Sequence, residues 1–242
     1  MKLIQKIEAL NALSEGINPT IVYNEGWMVR LLVMQSIEQK ITIDNIDFGQ
    51  FRKWTSEAQI SSPFSGSELK KDNLNETRTH ADVVIGDFDV NFDDNAGIRI
   101  KENAKIIGII EAKMGSNLSQ GTKNTEFKNY NQVSRSICCL AFNVVPQDCS
   151  TFVFVVAPKS TLEKHKISEQ ITNTEIKEQI RKRLEETESG KILDLEKFNT
   201  KVKNCKVLAI SFEEWIEKID DKNVKTKMSD FYDKCKKYNT IK

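Results

Sequence analysis

The fold is decided by Ile106-Ile107-Gly108-Ile109-Ile110-Glu111-Ala112-Lys113, an apolar run that ends in two charged residues. Its β-branched residues and short length are typical of a strand, and its lack of alternation indicates burial on both faces. Side chains two positions apart in a strand share a face, so Glu111 and Lys113 project together while Ala112 faces away. The run therefore predicts a core strand that carries an acid and a base where it leaves the interior.

A second run of the same kind, Ala81-Asp82-Val83-Val84-Ile85-Gly86, comes earlier in the chain. If the two strands pair, the carboxylate of Asp82 lies beside that of Glu111. Two carboxylates and a lysine then converge, and hard oxygen ligands of this type suit Mg²⁺ or Mn²⁺. The sequence thus predicts a divalent-cation site.

The remaining pattern alternates helices and strands. An apolar helix is expected over residues 24–39, with Asn24 as its N-cap. Residues 41–67 predict only loops and short helices, and residues 87–105 a hairpin excursion from the sheet. Further strands are expected at 151–157 and 206–211, a crossover helix at 130–142, and later helices at 174–188, 212–219 and 229–238. This order predicts an α/β layer with a mixed sheet and helices on both faces.

Composition describes a soluble chain. The apolar fraction is 39% and the charged fraction 29%, with no apolar run near the roughly 20 residues that a bilayer requires. The first residues lack the apolar core of a secretory signal, so we expect a cytoplasmic protein without membrane contact. The five cysteines form no C-x-x-C pair and are not spaced with the two histidines as zinc ligands, which predicts reduced thiols, several of them buried.

The charge balance is nearly neutral. The formal net charge is +1, although residues 159–242 hold 20 basic and 16 acidic residues. The excess is small, and its charges alternate as on solvated helix faces. Charge by itself therefore does not identify a nucleic-acid-binding protein.

Asp82, followed at a distance by Glu111-x-Lys113 on an apolar strand, resembles the PD-(D/E)XK nuclease superfamily. Ala81 stands where the motif name has proline, and in such families only the acidic residue of that pair takes part in the chemistry. Segments 54–59, 79–86 and 111–119 look like those of uncharacterised bacterial members. The resemblance implies a restriction-endonuclease-like core at about 20–160, a central mixed β-sheet flanked by helices. Residues 161–242 would add extra C-terminal helices and a strand, packed on the core within a single domain.

The resemblance also implies roles for individual residues. An early helix commonly adds a metal-binding glutamate, which Glu25 matches, and Glu57 competes for this place. The helix after the E-x-K strand often supplies a polar residue to the site, as Gln132 would. Arg135 is expected to contact phosphate, and the loop after the strand to bind phosphates through its polar groups. The loop candidates are Ser116, Ser119 and Lys123. His80 either orients a ligand or is a hydrogen-bonded structural residue.

Together these features predict a nuclease dependent on Mg²⁺ or Mn²⁺ that hydrolyses phosphodiester bonds, in DNA rather than RNA, in a bacterial defence or restriction context. A homodimer would suit the cutting of two strands, since twofold symmetry is the commonest arrangement. The alternative is a noncatalytic nucleic-acid-binding or assembly protein that keeps the nuclease fold. The balanced net charge favours this alternative, and the intact set of Asp82, Glu111 and Lys113 favours the enzyme.

Overall fold

The computed structural model describes residues 2–65, 76, 78–91, 97–119, 130–186, 192 and 194–239. The first part of the chain forms α1 (Leu3–Leu13), α2 (Pro19–Val22), α3 (Glu25–Gln39), β1 (Thr42–Ile43), β2 (Ile46–Asp47), a 3₁₀ turn (Phe48–Gln50), β3 (Trp54–Ser61), β4 (Arg78–Gly86), β5 (Phe88–Asn91), β6 (Gly97–Ile100) and β7 (Ile106–Ala112). The second part forms α4 (Gln132–Asn143), β8 (Ser150–Ala157), α5 (Lys159–Lys164), α6 (Ile167–Gln170), α7 (Asn173–Glu186), α8 (Leu195–Asn204), β9 (Lys206–Ser211), α9 (Phe212–Glu217) and α10 (Lys222–Asn239).

One mixed sheet holds seven of these strands, in the order β5-β6-β3-β4-β7-β8-β9. The strand that carries Glu111, β7, pairs antiparallel with β4 on one side and parallel with β8 on the other. The parallel connection from β7 to β8 runs through α4, as the sequence predicted for a crossover helix. The molecule is therefore α/β with a central mixed sheet and flanking helices, as expected.

Helices cover both faces of the sheet. On one face, residues of α1, α3, α9 and α10 pack with Val83 and Ile110 of the central strands. On the other face, residues of α4, α7 and α8 pack with Ile109 and Val153. Both faces of β7 are thus buried, which explains why its sequence does not alternate.

A glycine in β7 makes room for a ring in β8. Gly108 pairs with Phe152 in the parallel register. A Cβ atom at position 108 would come within 2.1 Å of the Phe152 ring, so only glycine fits there without movement of that ring. This close approach brings the two central strands and their side chains together.

Strands β3 and β4 change faces at the same level. Trp54 packs on the α3 face whereas Ala58, four residues later, packs on the α4 face. Along β4, Ala81 packs on the α4 face and Val83 on the α3 face. Residues two or four apart should share a face, so alternation breaks between them. The break falls at Glu57 and at Asp82, the residue that would face it in the register.

The backbone conformation of Glu57 accounts for the break in β3. Glu57 has a φ of 53°, in the left-handed region that a non-glycine residue adopts rarely and at some energetic cost. The pairs on either side, Ser56 with Val83 and Ala58 with Ala81, keep one continuous register. The change of face is therefore built into a paired sheet and positions Asp82 at the crossing.

Two expectations about secondary structure were wrong. Residues 41–67 contain the two-stranded sheet β1–β2 and the eight-residue strand β3, not only loops and short helices. The change of face in β3 removes the period-2 pattern by which strands are recognised. The last helix begins at Lys222, well before residue 229, because its apolar stripe is spread among many lysines. That stripe consists of Val224, Met228, Phe231, Tyr232 and Cys235.

The C-terminal third joins the sheet and both helical layers, with α7 and α8 on one face and α9 and α10 on the other. Strand β9 pairs with β8 at the edge of the sheet, and α10 packs on α1, α2, α3 and α9. All five cysteines are free thiols, and four are buried, as the sequence predicted. Across the described ranges, no helix is both long enough and apolar enough to cross a membrane.

Candidate active site

The paired strands β4 and β7 bring Asp82 beside Glu111. Their register ends at Val83 opposite Ile110, so one further step sets Asp82 against Glu111. At this level the side chain of Asp82 replaces the backbone as the hydrogen-bond partner of β7. Its Oδ2 accepts a hydrogen bond from the N–H of Ala112 at 2.7 Å. Its Oδ1 has no hydrogen-bond partner within the described residues. One oxygen of Asp82 therefore fixes the side chain to β7 and leaves the other for a ligand.

Glu111 is the buried centre of the site. Its side chain has no exposed surface and faces α4. Gln132 donates from Nε2 to its Oε2 at 2.5 Å, and Ser136 donates from Oγ to its Oε1 at 2.8 Å. Residues four apart lie on one face of a helix, which is why both donors reach the same carboxylate. The two hydrogen bonds from α4 therefore hold the side chain of Glu111 in one rotamer.

The surroundings make ionisation of Glu111 costly. Burial raises the pKa of its carboxyl to about 8, and the negative charge of Asp82 acts in the same direction. The charges of Lys113 and Arg135 and the hydrogen bond from Ser136 lower this pKa, but they offset burial only in part. A buried carboxylate of this kind favours the binding of a proton or a cation at neutral pH.

Lys113 follows directly after β7. Its backbone N–H donates to the carbonyl of Val156 at 2.8 Å, which continues the pairing with β8 by one residue. The side chain is partly buried, and its charge acts on Glu111, as expected for residues two apart on a strand. Among the described residues, the ammonium group has no ion-pair partner. It is thus available to a substrate beside the two acids.

The two carboxylates fit a divalent cation of the Mg²⁺ type. Such ions take hard oxygen ligands, are held by one or two carboxylates, and complete their coordination with water and substrate oxygens. In the described part of the chain, no three His, Cys, Asp or Glu side chains are grouped to hold a metal ion. Asp82 and Glu111 would hold the ion, and its remaining ligands would come from outside the protein or from another acid.

Neither candidate for the additional acid contacts this pair. Glu57 lies level with Asp82, but its exposed carboxylate accepts a hydrogen bond from Nη2 of Arg30 at 2.8 Å. Glu25 begins α3; burial raises the pKa of the Cys235 thiol in α10, and the charge of Glu25 acts in the same direction. Within the described residues, no hydrogen bond or ion pair joins either acid to Asp82 or Glu111. The structure thus brings together the acids of β4 and β7 and leaves both alternatives for the additional acid open.

Several side chains hold the loop that follows Lys113. Thr161 donates to the carbonyl of Met114 at 3.1 Å, and Nε2 of His165 lies 3.3 Å from that of Gly115. Gln170 donates to the side-chain carbonyl of Asn117 at 3.0 Å. These contacts come from α5, α6 and the turn between them. The C-terminal third therefore positions the loop beside the candidate site.

The predicted phosphate-binding residues have different positions. Ser119 donates from Oγ to Oε1 of Gln132 at 3.2 Å, so this loop is joined to the helix that holds Glu111. Arg135 lies on α4 close enough to act on the pKa of Glu111. Ser116 is exposed in the loop, and Lys123 lies outside the described residues. His80 is exposed on β4, two residues from Asp82.

Sequence reasoning missed Ser136 and the loop-holding residues. Ser136 had a usable signal, because it follows Gln132 by four positions in a helix expected to face the strand. Thr161, His165 and Gln170 had none, since their partners are backbone carbonyls or an amide far away in the sequence. Compared with protein-family models, with curated proteins and with solved structures, the chain has no significant match.

Proposed function

We propose that this protein is a divalent-metal-dependent nuclease of the PD-(D/E)XK type, which hydrolyses phosphodiester bonds in nucleic acid, in DNA rather than RNA. The observation that carries the proposal is the fully buried Glu111 beside Asp82 at the end of β7, with Lys113 next to them. A domain that serves only as a scaffold gains nothing from a pair of like charges at a strand end, one of them desolvated. The arrangement of β4 and β7 also supports a restriction-endonuclease-like core.

The residues divide the chemistry among them. Asp82 and Glu111 would hold Mg²⁺ or Mn²⁺, and such an ion lowers the pKa of a bound water and polarises a phosphate. Gln132 and Ser136 keep the carboxylate of Glu111 in one orientation. Lys113 would hold the attacking water or offset the charge that grows on the phosphate in the transition state. Arg135, one turn along α4 from Gln132, would bind a phosphate oxygen.

The test is a cleavage assay with matched variants. Supercoiled plasmid, linear duplex, single-stranded DNA and RNA are incubated with the wild type in Mg²⁺, in Mn²⁺ and in EDTA. We expect metal-dependent cleavage that falls by roughly 10²–10³-fold or more in Glu111→Gln, Asp82→Asn and Lys113→Met, since each removes a group that acts on the transition state. Glu196→Gln, a change of an exposed acid in the first turn of α8, serves as the control and keeps full activity.

Two outcomes would contradict the proposal. The first is cleavage that survives in both Glu111→Gln and Lys113→Met. The second is a wild type that neither cleaves any of the four substrates nor binds Mn²⁺ in calorimetry. The second outcome would favour a noncatalytic binding or assembly protein with this fold.

A further inference from the structure

A groove lies on the α3 face of the sheet, between α1, α3 and the first half of β3. Its volume is about 670 Å³, within the range of about 300–1,000 Å³ that is typical of small-molecule sites. Its apolar walls are formed by Leu10, Leu13, Trp27, Leu31, Met34 and Trp54. We call this cavity the tryptophan groove. It lies outside the site built around Glu111, which faces α4.

Two of the three tryptophans of the chain line this groove. Trp27 and Trp54 are only partly buried, at the edge of the hydrophobic core. The third, Trp215, is fully buried and donates from its indole nitrogen to Ser36 at 2.8 Å. Partly exposed indoles offer flat aromatic surface on which other ring systems stack. The groove is therefore suited to a flat ligand.

The charged residues of the groove are both cations. Arg30 lies over the Trp27 ring, with its guanidinium carbon 5.1 Å from the ring centroid. The ammonium of Lys6 contacts the thioether of Met34 at 3.1 Å, and a thioether is a weak acceptor. Within the described residues, Lys6 has no carboxylate at ion-pair distance, whereas Arg30 pairs with Glu57, an acid outside the lining of the groove, at 2.8 Å. The charge of Lys6 therefore complements an anion bound next to the aromatic surface.

The strand that lines the groove, β3, lies one strand away from Asp82 and two strands away from Glu111. Ser56 lines it, and Ser56 pairs with Val83, the residue that follows Asp82. Neighbouring strands are about 4.8 Å apart. Asp82, in the middle of β4, therefore lies one strand spacing from the strand that lines the groove.

We propose that the tryptophan groove binds an unpaired nucleobase of single-stranded nucleic acid, with a neighbouring phosphate on Lys6. This inference rests on the proposed function and names its substrate class, a strand with unpaired bases. Aromatic side chains next to cations are the means by which proteins bind single strands without sequence preference. An alkyl chain would use the apolar walls but not the two indole faces, and a base inside a duplex is already stacked and paired.

The test measures binding apart from cleavage. Full-length protein in EDTA is titrated with an oligothymidylate of about twelve nucleotides, within the site sizes known for single-strand binding. Intrinsic tryptophan fluorescence and the anisotropy of a labelled strand are followed together. We expect saturable quenching, because Trp27 and Trp54 contact the bases whereas the buried Trp215 gives a constant background. A duplex of equal length and dodecyl phosphate are expected to quench much less.

Variants assign the signal to the groove. Trp27→Ala and Trp54→Ala should each weaken binding by about tenfold, which corresponds to the loss of one stacked base. Trp54→Phe keeps an aromatic ring and should bind nearly as well as the wild type, with a smaller fluorescence change. Lys6→Ala should weaken binding more in low salt than in high salt. Lys222→Ala, a change of an exposed lysine outside the groove, is the matched control and should bind unchanged.

The inference fails if duplex binds as well as single strand, if binding is unaffected by both Trp54→Ala and Lys6→Ala, or if dodecyl phosphate alone produces the quenching. Lys6 is not one of the core residues, so Lys6→Ala decides the matter even if a tryptophan variant does not fold. Binding in EDTA needs no cleavage. A wild type that binds single strands through the groove but neither cleaves any substrate nor binds Mn²⁺ would therefore contradict the nuclease proposal and leave the groove assignment standing.

Discussion

Gln132 donates a hydrogen bond from its side-chain amide to the fully buried carboxylate of Glu111, with 2.5 Å between nitrogen and oxygen. The other end of the same amide accepts from Ser119 at 3.2 Å. The side chain of Gln132 thus links three elements: the strand β7 that carries Glu111, the helix α4 on which Gln132 lies, and the loop after Lys113. The position of Glu111 depends on this helix as much as on its own strand.

The hydrogen bond from Ser136 to Glu111 gives the first prediction. Ser136→Ala should weaken Mn²⁺ binding and slow cleavage by roughly 10–100-fold, the usual effect of removing a group that orients a metal ligand. The measurements are calorimetry with Mn²⁺ and initial cleavage rates. The control is Ser134→Ala, a change of another buried serine of α4 whose hydroxyl donates to Gln179 and not to Glu111. Equal losses in both variants would mean that the effect arises from helix packing.

The raised pKa of Glu111 gives a prediction for metal-free protein. Its carboxyl has a pKa of about 8 in the folded state, above the ordinary value of 4.5. The fold therefore favours the protonated form, so the contribution of this carboxyl to stability is fully present below pH 4.5 and falls as the pH rises towards 8, by at most about 1.4 kcal/mol per pH unit. The side chain in Glu111→Gln does not ionise, so this variant does not lose stability in this way as the pH rises.

Urea denaturation in EDTA at several pH values between 5 and 8 tests this prediction. The free energy of unfolding of Glu111→Gln, relative to the wild type, should increase steadily with pH. Glu57→Gln, a change of an exposed acid, should show no comparable slope. A constant difference between Glu111→Gln and the wild type across this range would count against the prediction.

A buried ion pair joins α7 to the chain that precedes β4. Nε of Arg183 lies 3.5 Å from Oε1 of Glu76, both side chains are almost fully buried, and Ser62 donates to the other oxygen at 2.7 Å. Arg183 also lies over the Phe64 ring. Arg183→Leu leaves a buried carboxylate without its cation, so we expect a loss of about 3–5 kcal/mol in the free energy of unfolding.

Arg181 supplies the comparison, because it is an exposed arginine of the same helix that pairs with Glu178 and Glu185. Arg181→Leu should cost about 1 kcal/mol or less, as exposed pairs usually do. Thermal and urea denaturation of both variants would decide. Similar losses for the two substitutions would show that the buried pair has no special weight.

The contact between Gly108 and Phe152 predicts overpacking. Gly108→Ala should lower the free energy of unfolding by about 1–3 kcal/mol, because the new methyl group needs the space of the ring. Phe152→Leu in the same chain should recover part of this loss. If Gly108→Ala is as stable as the wild type, the two strands can separate more easily than the packing indicates.

The central strands and the crossover helix were predictable because their signals are local. The apolar runs at Ile106–Ala112 and Ser150–Ala157 indicate core strands. Asn24 is a typical N-cap residue, and it caps α3 by accepting a hydrogen bond from the backbone N–H of Trp27. The meeting of Asp82 with Glu111 followed from one assumption about strand pairing, which the register of β4 and β7 confirms.

The rest depends on contacts between distant residues. The path of β3 could not be predicted, because a left-handed Glu57 reverses the alternation on which strand recognition depends. The surroundings of Glu111 could be predicted only in part. The contact with Ser136 follows from the geometry of α4, whereas the burial of Glu111 depends on how the whole helical layer packs. Local patterns located the acids, and tertiary packing decides how strongly Glu111 holds a proton.

The simultaneous change of face in β3 and β4 has a consequence for how the chain tolerates insertions and deletions. Removal of one residue between Thr79 and Val83 would restore regular alternation in β4 but would shift the pairing of half of the strand with β3 by one residue, and the change of face at Glu57 would then have no counterpart. Each layer of helices thus holds one half of the strand in place, and Asp82 lies at the junction. The length of this short segment should therefore be under stricter constraint than the identity of most residues within it.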